Sequence, residues 1–127
     1  MKIFFYSATT DENLKRFRRE LELVVPKRDI KCSRTKEHLY KLLHLSAMHY
    51  DLVILHVSRA QELTDLYQFQ DVLQHTLLII ILPDRSKNMV SQAYRFRPRL
   101  VSYCDADDIE FMMFIKTITN LKNKSVP

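Results

Sequence analysis

The sequence predicts an α/β domain, a five-stranded parallel sheet with helices on both faces. Three observations lead there. Five short apolar runs alternate with five segments of helical period, the pattern from which parallel sheets are built. The runs at 52–57 and 77–83 are aliphatic almost throughout, as strands covered on both faces must be. The length of 127 residues suits one domain with a single core.

Each element has its own justification. Residues 3–7, "IFFYS", read as a buried first strand, and Asp11 or Thr10 can cap the helix that follows. In that helix Leu14, Phe17, Leu21 and Val24 recur at helical spacing, with Lys15, Arg16, Arg18 and Arg19 on the wet side, and Pro26 closes it. Residues 29–33 form a short second strand. Thr35 can cap a second helix with the stripe Leu39, Leu42, Leu43 and Ala47, extended by Tyr50. The third strand is 52–57, followed by a helix carrying Leu63, Leu66, Phe69, Val72 and Leu73. "TLLIIILP" holds the fourth strand. Asp84 or Ser86 starts a fourth helix bearing Met89, Val90, Ala93 and Phe96, which Pro98 ends. Residues 100–104 make the fifth strand. Asp107 or Asp108 caps the last helix, with Ile109, Met112, Met113 and Ile118. The domain is expected to occupy 1–121, with 122–127 a flexible tail or the cut end of a longer chain.

Composition removes several function classes. The chain has no glycine, and the glycine-rich phosphate loops of dinucleotide and P-loop sites need glycine for close backbone approach. Its two cysteines, Cys32 and Cys104, form no close-spaced pair, which excludes a CxxC zinc or redox motif. No apolar stretch is long enough to span a bilayer, and the N-terminus reads straight into a strand without a signal-peptide plan, so a cytoplasmic protein is expected. The net charge of +5 permits an acidic partner, but no long basic run accompanies it. Nucleic acid is therefore not the expected partner of this domain.

Right-handed crossovers and five strands fit the doubly wound order 2-1-3-4-5. Ligands in such sheets sit at the carboxyl ends of the strands, near the switch point between strands 1 and 3. The candidate pocket thus comprises Ser7, Ala8 and Thr9, then His56 and Ser58, then Pro83 and Asp84, then Cys104 and Asp105. The same order puts Cys32 and Cys104 on opposite sheet edges, roughly 19 Å apart at four strand spacings. A disulfide needs Cα atoms within about 7 Å, so none is expected between them.

From Lys2 to about Leu121 the chain resembles a response-regulator receiver domain, the CheY-like module with a flavodoxin-like three-layer sandwich. "KIFFYSATTDENLKRFRREL" and "DLVILHVS" stand where receivers usually have K-I-L-I-V-D-D-E and D-L-V-L-L-D. The resemblance implies an acidic pair after strand 1 and a phosphoacceptor aspartate after strand 3, which together hold magnesium through hard oxygen ligands. It also implies a hydroxyl after strand 4 and a lysine after strand 5 to grip the phosphoryl oxygens. Here the acidic pair falls on Ser7 and Ala8, the phosphoacceptor on His56, the hydroxyl on Leu82 or Pro83, and the lysine on Cys104, with Asp105 in place of the usual proline. All five positions depart from the pattern, which reads as a degenerate pseudo-receiver that cannot undergo aspartyl phosphorylation. "SATTDEN" is also superficially similar to the flavodoxin loop T-x-T-G-N-T. It lacks the glycine, would set Asp11 and Glu12 against a phosphate dianion, and has no aromatic loops to sandwich a flavin. No cofactor, metal or catalytic residue is expected.

The expected role is a signalling module acting by protein contact, with a homodimer among the options. In working receivers the surface of helix 4, strand 5 and helix 5 is a common dimer face. The candidate interface here joins Arg85, Lys87, Tyr94, Arg95, Arg97 and Arg99 to Asp105, Asp107 and Asp108, with Glu110 beside them. Charges of both signs suit a two-fold contact in which each patch meets its complement. Phe111, Met112, Met113 and Phe114 cannot all face one side of a helix, so at least one must point outward; Phe111 is taken as the interface residue. Val101 falls near the family's aromatic switch position, which removes that ring from the usual toggle. Two alternatives stand beside this reading. One is a small-molecule or metal sensor, or an enzyme, using His56 and Cys104 with Asp84 or Asp105. The other is the regulatory domain of a DNA-binding response regulator. The bland reading of His56 is a neutral imidazole hydrogen-bonded to Ser7 or to backbone.

Overall fold

The computed structural model describes residues 1–46, 50–105 and 107–124. Five strands, β1 (Ile3–Ser7), β2 (Ile30–Ser33), β3 (Leu52–His56), β4 (Leu78–Leu82) and β5 (Leu100–Tyr103), form one sheet. Its order is β2-β1-β3-β4-β5, and every pairing is parallel. The expected five-stranded α/β architecture is what forms.

The helices are α1 (Glu12–Glu22), α2 (Lys36–Ser46), α3 (Ala60–Leu66), α4 (Lys87–Tyr94) and α5 (Ile109–Lys124). Beyond α3 the chain tightens into a 3₁₀ turn, Tyr67–Phe69, and one further turn, Gln70–Leu73. Strand side chains alternate between two cores. Phe4, Tyr6, Val53, Leu55, Ile80 and Leu82 pack under α2, α3 and α4 through Leu39, Leu63, Leu66, Met89 and Ala93. Ile3, Phe5, Leu52, Ile54, Ile79 and Ile81 pack under α1 and α5 through Phe17, Leu21, Phe111 and Ile115. Each fully buried side chain of this kind contributes about 1.5–3 kcal/mol. The inner strands β1, β3 and β4 are buried along their whole length, which is why their sequences show no polar alternation. The edge strands β2 and β5 are shorter and partly exposed.

Several local expectations are refined. Asp11 caps α1 by accepting the Leu14 N–H at 2.8 Å, and Thr35 Oγ1 accepts the His38 N–H at 3.1 Å. Asp29 belongs to a 3₁₀ turn and not to β2. The side chains of Leu42 and Leu43 and the whole of Ala47 lie outside the described residues. The segment after Leu121 stays helical as far as Lys124. α4 ends at Tyr94 with Arg95 as its C-cap, before Pro98 is reached; in the turn beyond, Arg97 takes φ 56° with its N–H on the Tyr94 carbonyl at 3.1 Å. A glycine commonly takes this left-handed position after a helix, and this chain has none to place there.

Candidate functional site

The crevice at the carboxyl ends of β1 and β3 is organised by strand register. Ser7 pairs with His56 as the last step of the β1–β3 ladder, so their side chains meet at the switch point. Ser7 Oγ lies 2.9 Å from His56 Nδ1 and 2.7 Å from the Thr9 carbonyl oxygen. A serine hydroxyl has one proton to give. The short contact with the Thr9 carbonyl takes it, so Nδ1 carries the imidazole proton and donates to Ser7 Oγ. His56 Nε2 is then a lone pair, and it faces Cys104 Sγ at 3.7 Å. The result is a one-way chain of donors: Cys104 thiol to His56, His56 to Ser7, Ser7 to the Thr9 carbonyl. Thr9 Oγ1 and Ser58 Oγ, 3.0 Å apart, close the mouth.

Burial sets the charge state. His56 is 2% exposed, and burial lowers its pKa below the ordinary histidine value, with Asp11 and Glu62 opposing that and Arg16 assisting it. Burial likewise raises the Cys104 thiol to about 11, against the pull of Arg16. Desolvation disfavours the charged form of each group, so the pair rests as neutral imidazole and thiol. A thiolate–imidazolium nucleophile requires both shifts in the opposite sense. The bland reading of His56, a neutral ring held by Ser7, is the one the geometry supports.

Other expected pocket residues do not converge there. Ala8 is exposed, and Leu82 is buried core whose carbonyl accepts the Cys104 N–H at 2.8 Å. Asp84 accepts the Ser86 N–H. Among the described residues no hydrogen bond or ion pair joins Asp84 or Asp105 to His56. The carboxylate that approaches the ring is Asp11, at 4.0 Å from Nε2, and it is already engaged as the α1 cap. Among the described residues no three His, Cys, Asp or Glu side chains are placed to hold a metal ion. Both cysteines are free.

Two groups near the crevice escaped the sequence reading. Glu62 reaches back from α3 to accept the N–H groups of Ser58 and Arg59, half of a capping box whose usual Ser or Thr signature is absent at Arg59. Arg16 was read as part of a wet face. It instead grips Asp108 with Nε at 2.9 Å and Nη2 at 3.2 Å, and Nη2 also donates to the Cys104 carbonyl at 3.1 Å. No local pattern announces a contact across 92 residues. It corrects the interface set, because the Asp108 side chain turns toward α1 and is nearly buried. Phe111 is corrected too. It is 1% exposed and stacks edge-on against Phe17 with centroids 5.0 Å apart, so it is core. The outward residue of that quartet is Met113, 63% exposed.

The remaining interface candidates divide. Arg85 lies over the Tyr103 ring at 4.1 Å, and Arg95 lies over Tyr67 at 4.4 Å. Lys87, Arg97, Asp105 and Asp107 are exposed, as is Tyr94 at 56%. Arg99 sits at the opposite end of β5, in a hollow shared with Asp51 and Leu121. Between β5 and α5 a cavity of about 260 Å³ is lined by Arg85, Val101, Ser102, Tyr103, Asp107 and Glu110, with Phe111 beneath.

Comparison with solved structures agrees with this architecture. The signal receiver domain of an HD domain-containing protein from Pseudomonas fluorescens Pf-5 superposes with a TM-score of 0.68 at 16% identity, over 98% of each chain. A protein named as pilus assembly-related from Burkholderia pseudomallei gives 0.67 at 13% identity, over 94% of this chain and 90% of its own. HP1043, an orphan response regulator of H. pylori, gives 0.60 at 12% identity, over 100% of this chain and 97% of its own. No family model and no curated protein matches the sequence. The fold is the flavodoxin/CheY-like α/β fold. No helix among the described residues is long and apolar enough to cross a membrane.

Proposed function

We propose that this chain is a non-catalytic signalling module, a receiver that takes no phosphoryl group and acts by protein contact through α4, β5 and α5. The carrying observation is the strand-end crevice. Where magnesium and aspartyl phosphate need clustered carboxylates, this chain has Ser7, His56 and Cys104 in a one-way hydrogen-bond chain that ends on the Thr9 carbonyl. The side-chain protons of all three are already given within that chain, which leaves none to donate to a phosphoryl oxygen.

The docking face is supported by what lies uncovered beside it. Met113 and Glu110 share one side of α5, and Tyr94 stands exposed on α4. The buried Ser102 hydroxyl lines the β5–α5 cavity and has no hydrogen-bond partner among the described residues. Arg85 on one rim and Asp107 and Glu110 on the other give the self-complementary charge that a two-fold dimer requires. A cytoplasmic setting belongs to the same reading.

Sedimentation velocity over a range of concentrations, on the wild type and on Met113→Asp and Arg85→Glu, tests the contact. Concentration-dependent dimers that both variants abolish are expected. A strictly monomeric protein that also captures no receiver-type partner refutes it. For the crevice, beryllofluoride with magnesium should leave the amide resonances of Ser7, His56 and Cys104 unmoved; saturable shifts there would overturn the non-phosphorylatable half of the proposal.

A further inference from the structure

A second hollow, of about 150 Å³, opens between α1 and β2 on the far side of Ser7. Its wall carries three cations. Lys15 and Arg18, three residues apart, project from the same side of α1, and Arg34 follows the last residue of β2. Thr10 and Ser33 add hydroxyls, while Phe5 and Leu14 form an apolar floor. Among the described residues no acidic side chain lines it. Asp11, next in sequence to Thr10, holds its carboxylate on the Leu14 N–H and 4.0 Å from His56 Nε2, in the strand-end crevice, while Glu12 lies 3.5 Å from Lys15 and Glu22 3.3 Å from Arg18. The last two are helix-surface pairs, which exchange partners at little cost. Arg34 has no ion pair among the described residues.

The geometry points to a binding site for a small phosphate monoester, its phosphoryl group on the three cations and its organic group on the Phe5–Leu14 floor. Two guanidinium forks and an ammonium match three phosphoryl oxygens bearing nearly two negative charges. A mostly apolar hollow with a few convergent polar groups is the general form of a small-molecule site. The site lies outside the receiver's phosphorylation crevice and touches it only at Ser7. It does not rest on the docking reading, since ligand binding and dimerisation are measured separately.

Cys32 lines the same hollow and serves as a reporter. The full chain would be titrated with phenyl phosphate, inorganic phosphate and benzyl alcohol, following amide shifts and protection of Cys32 from iodoacetamide. Phenyl phosphate should protect Cys32 and shift Thr10, Leu14, Ser33 and Arg34. It should bind more tightly than inorganic phosphate, and benzyl alcohol should do neither. Arg34→Ala should weaken phenyl phosphate about tenfold, and Arg34→Lys, which keeps the charge but loses the fork, should weaken it several-fold. Absence of shifts at millimolar phenyl phosphate overturns the site. So do equal shifts at the arginines around α4, or inorganic phosphate binding as tightly as the ester.

Discussion

Replacing Glu20 with glutamine is expected to remove a pH dependence of stability between pH 4.5 and 7. Glu20 lies on α1 next to the Arg16–Asp108 pair. Its carboxyl is raised from the ordinary 4.5 to about 7, first by burial, then by a hydrogen bond with Asp108 and that group's charge, with Arg16 opposing. A carboxyl whose folded pKa is raised stabilises the fold fully below pH 4.5, where both states are protonated. That stability is lost as the pH climbs through 7, because the unfolded chain sheds its proton first. At about 1.36 kcal/mol for each pH unit between the two values, the ceiling is about 3 kcal/mol. Solvent reaches part of the carboxyl and screens it, which brings the realised loss to about 1 kcal/mol. Urea denaturation at pH 4.5, 5.5, 6.5 and 8 measures it. The difference between Glu20→Gln and wild type should grow by about 1 kcal/mol in favour of the variant from pH 4.5 to 8, leaving other titrating groups to cancel. Parallel stability profiles would refute the reasoning.

Other outcomes follow from packing, backbone and thiol chemistry. Phe17→Ala empties a fully buried position stacked on Phe111 and should cost about 3–5 kcal/mol in urea melts. A loss under 1 kcal/mol would mean the α1–α5 contact closes over the gap. Arg97→Gly relieves the left-handed residue after α4 and should stabilise by about 0.5–1 kcal/mol; destabilisation would mean the arginine side chain holds something the backbone argument omits. Burial raises both cysteine pKa values, but only Cys32 is exposed. Iodoacetamide at pH 8 should therefore label Cys32 well before Cys104, as read by peptide mass spectrometry. A faster Cys104 would revive the nucleophile reading of His56 and Cys104.

What the sequence by itself determined is whatever depends on near neighbours and on composition. Alternating periods fix the order of strands and helices, and the connectivity rules then leave a handful of strand orders, of which five strands fit 2-1-3-4-5. The caps at Asp11 and Thr35 were legible because capping is a contact over three residues. The missing carboxylates at Ser7, Ala8 and His56 were legible because a chemical deficit needs no coordinates. Tertiary structure alone decided the rest. The rotation of α5 about its axis buries Phe111 and exposes Met113, and four adjacent apolar residues carry no phase that names which one turns out. Arg16 meets Asp108, and Cys104 meets His56, across 92 and 48 residues. The hollow between α1 and β2 gathers Arg18 and Arg34 from separate elements. Such encounters are set by packing two layers against one twisted sheet, and that distance information is not written in any local window of the chain.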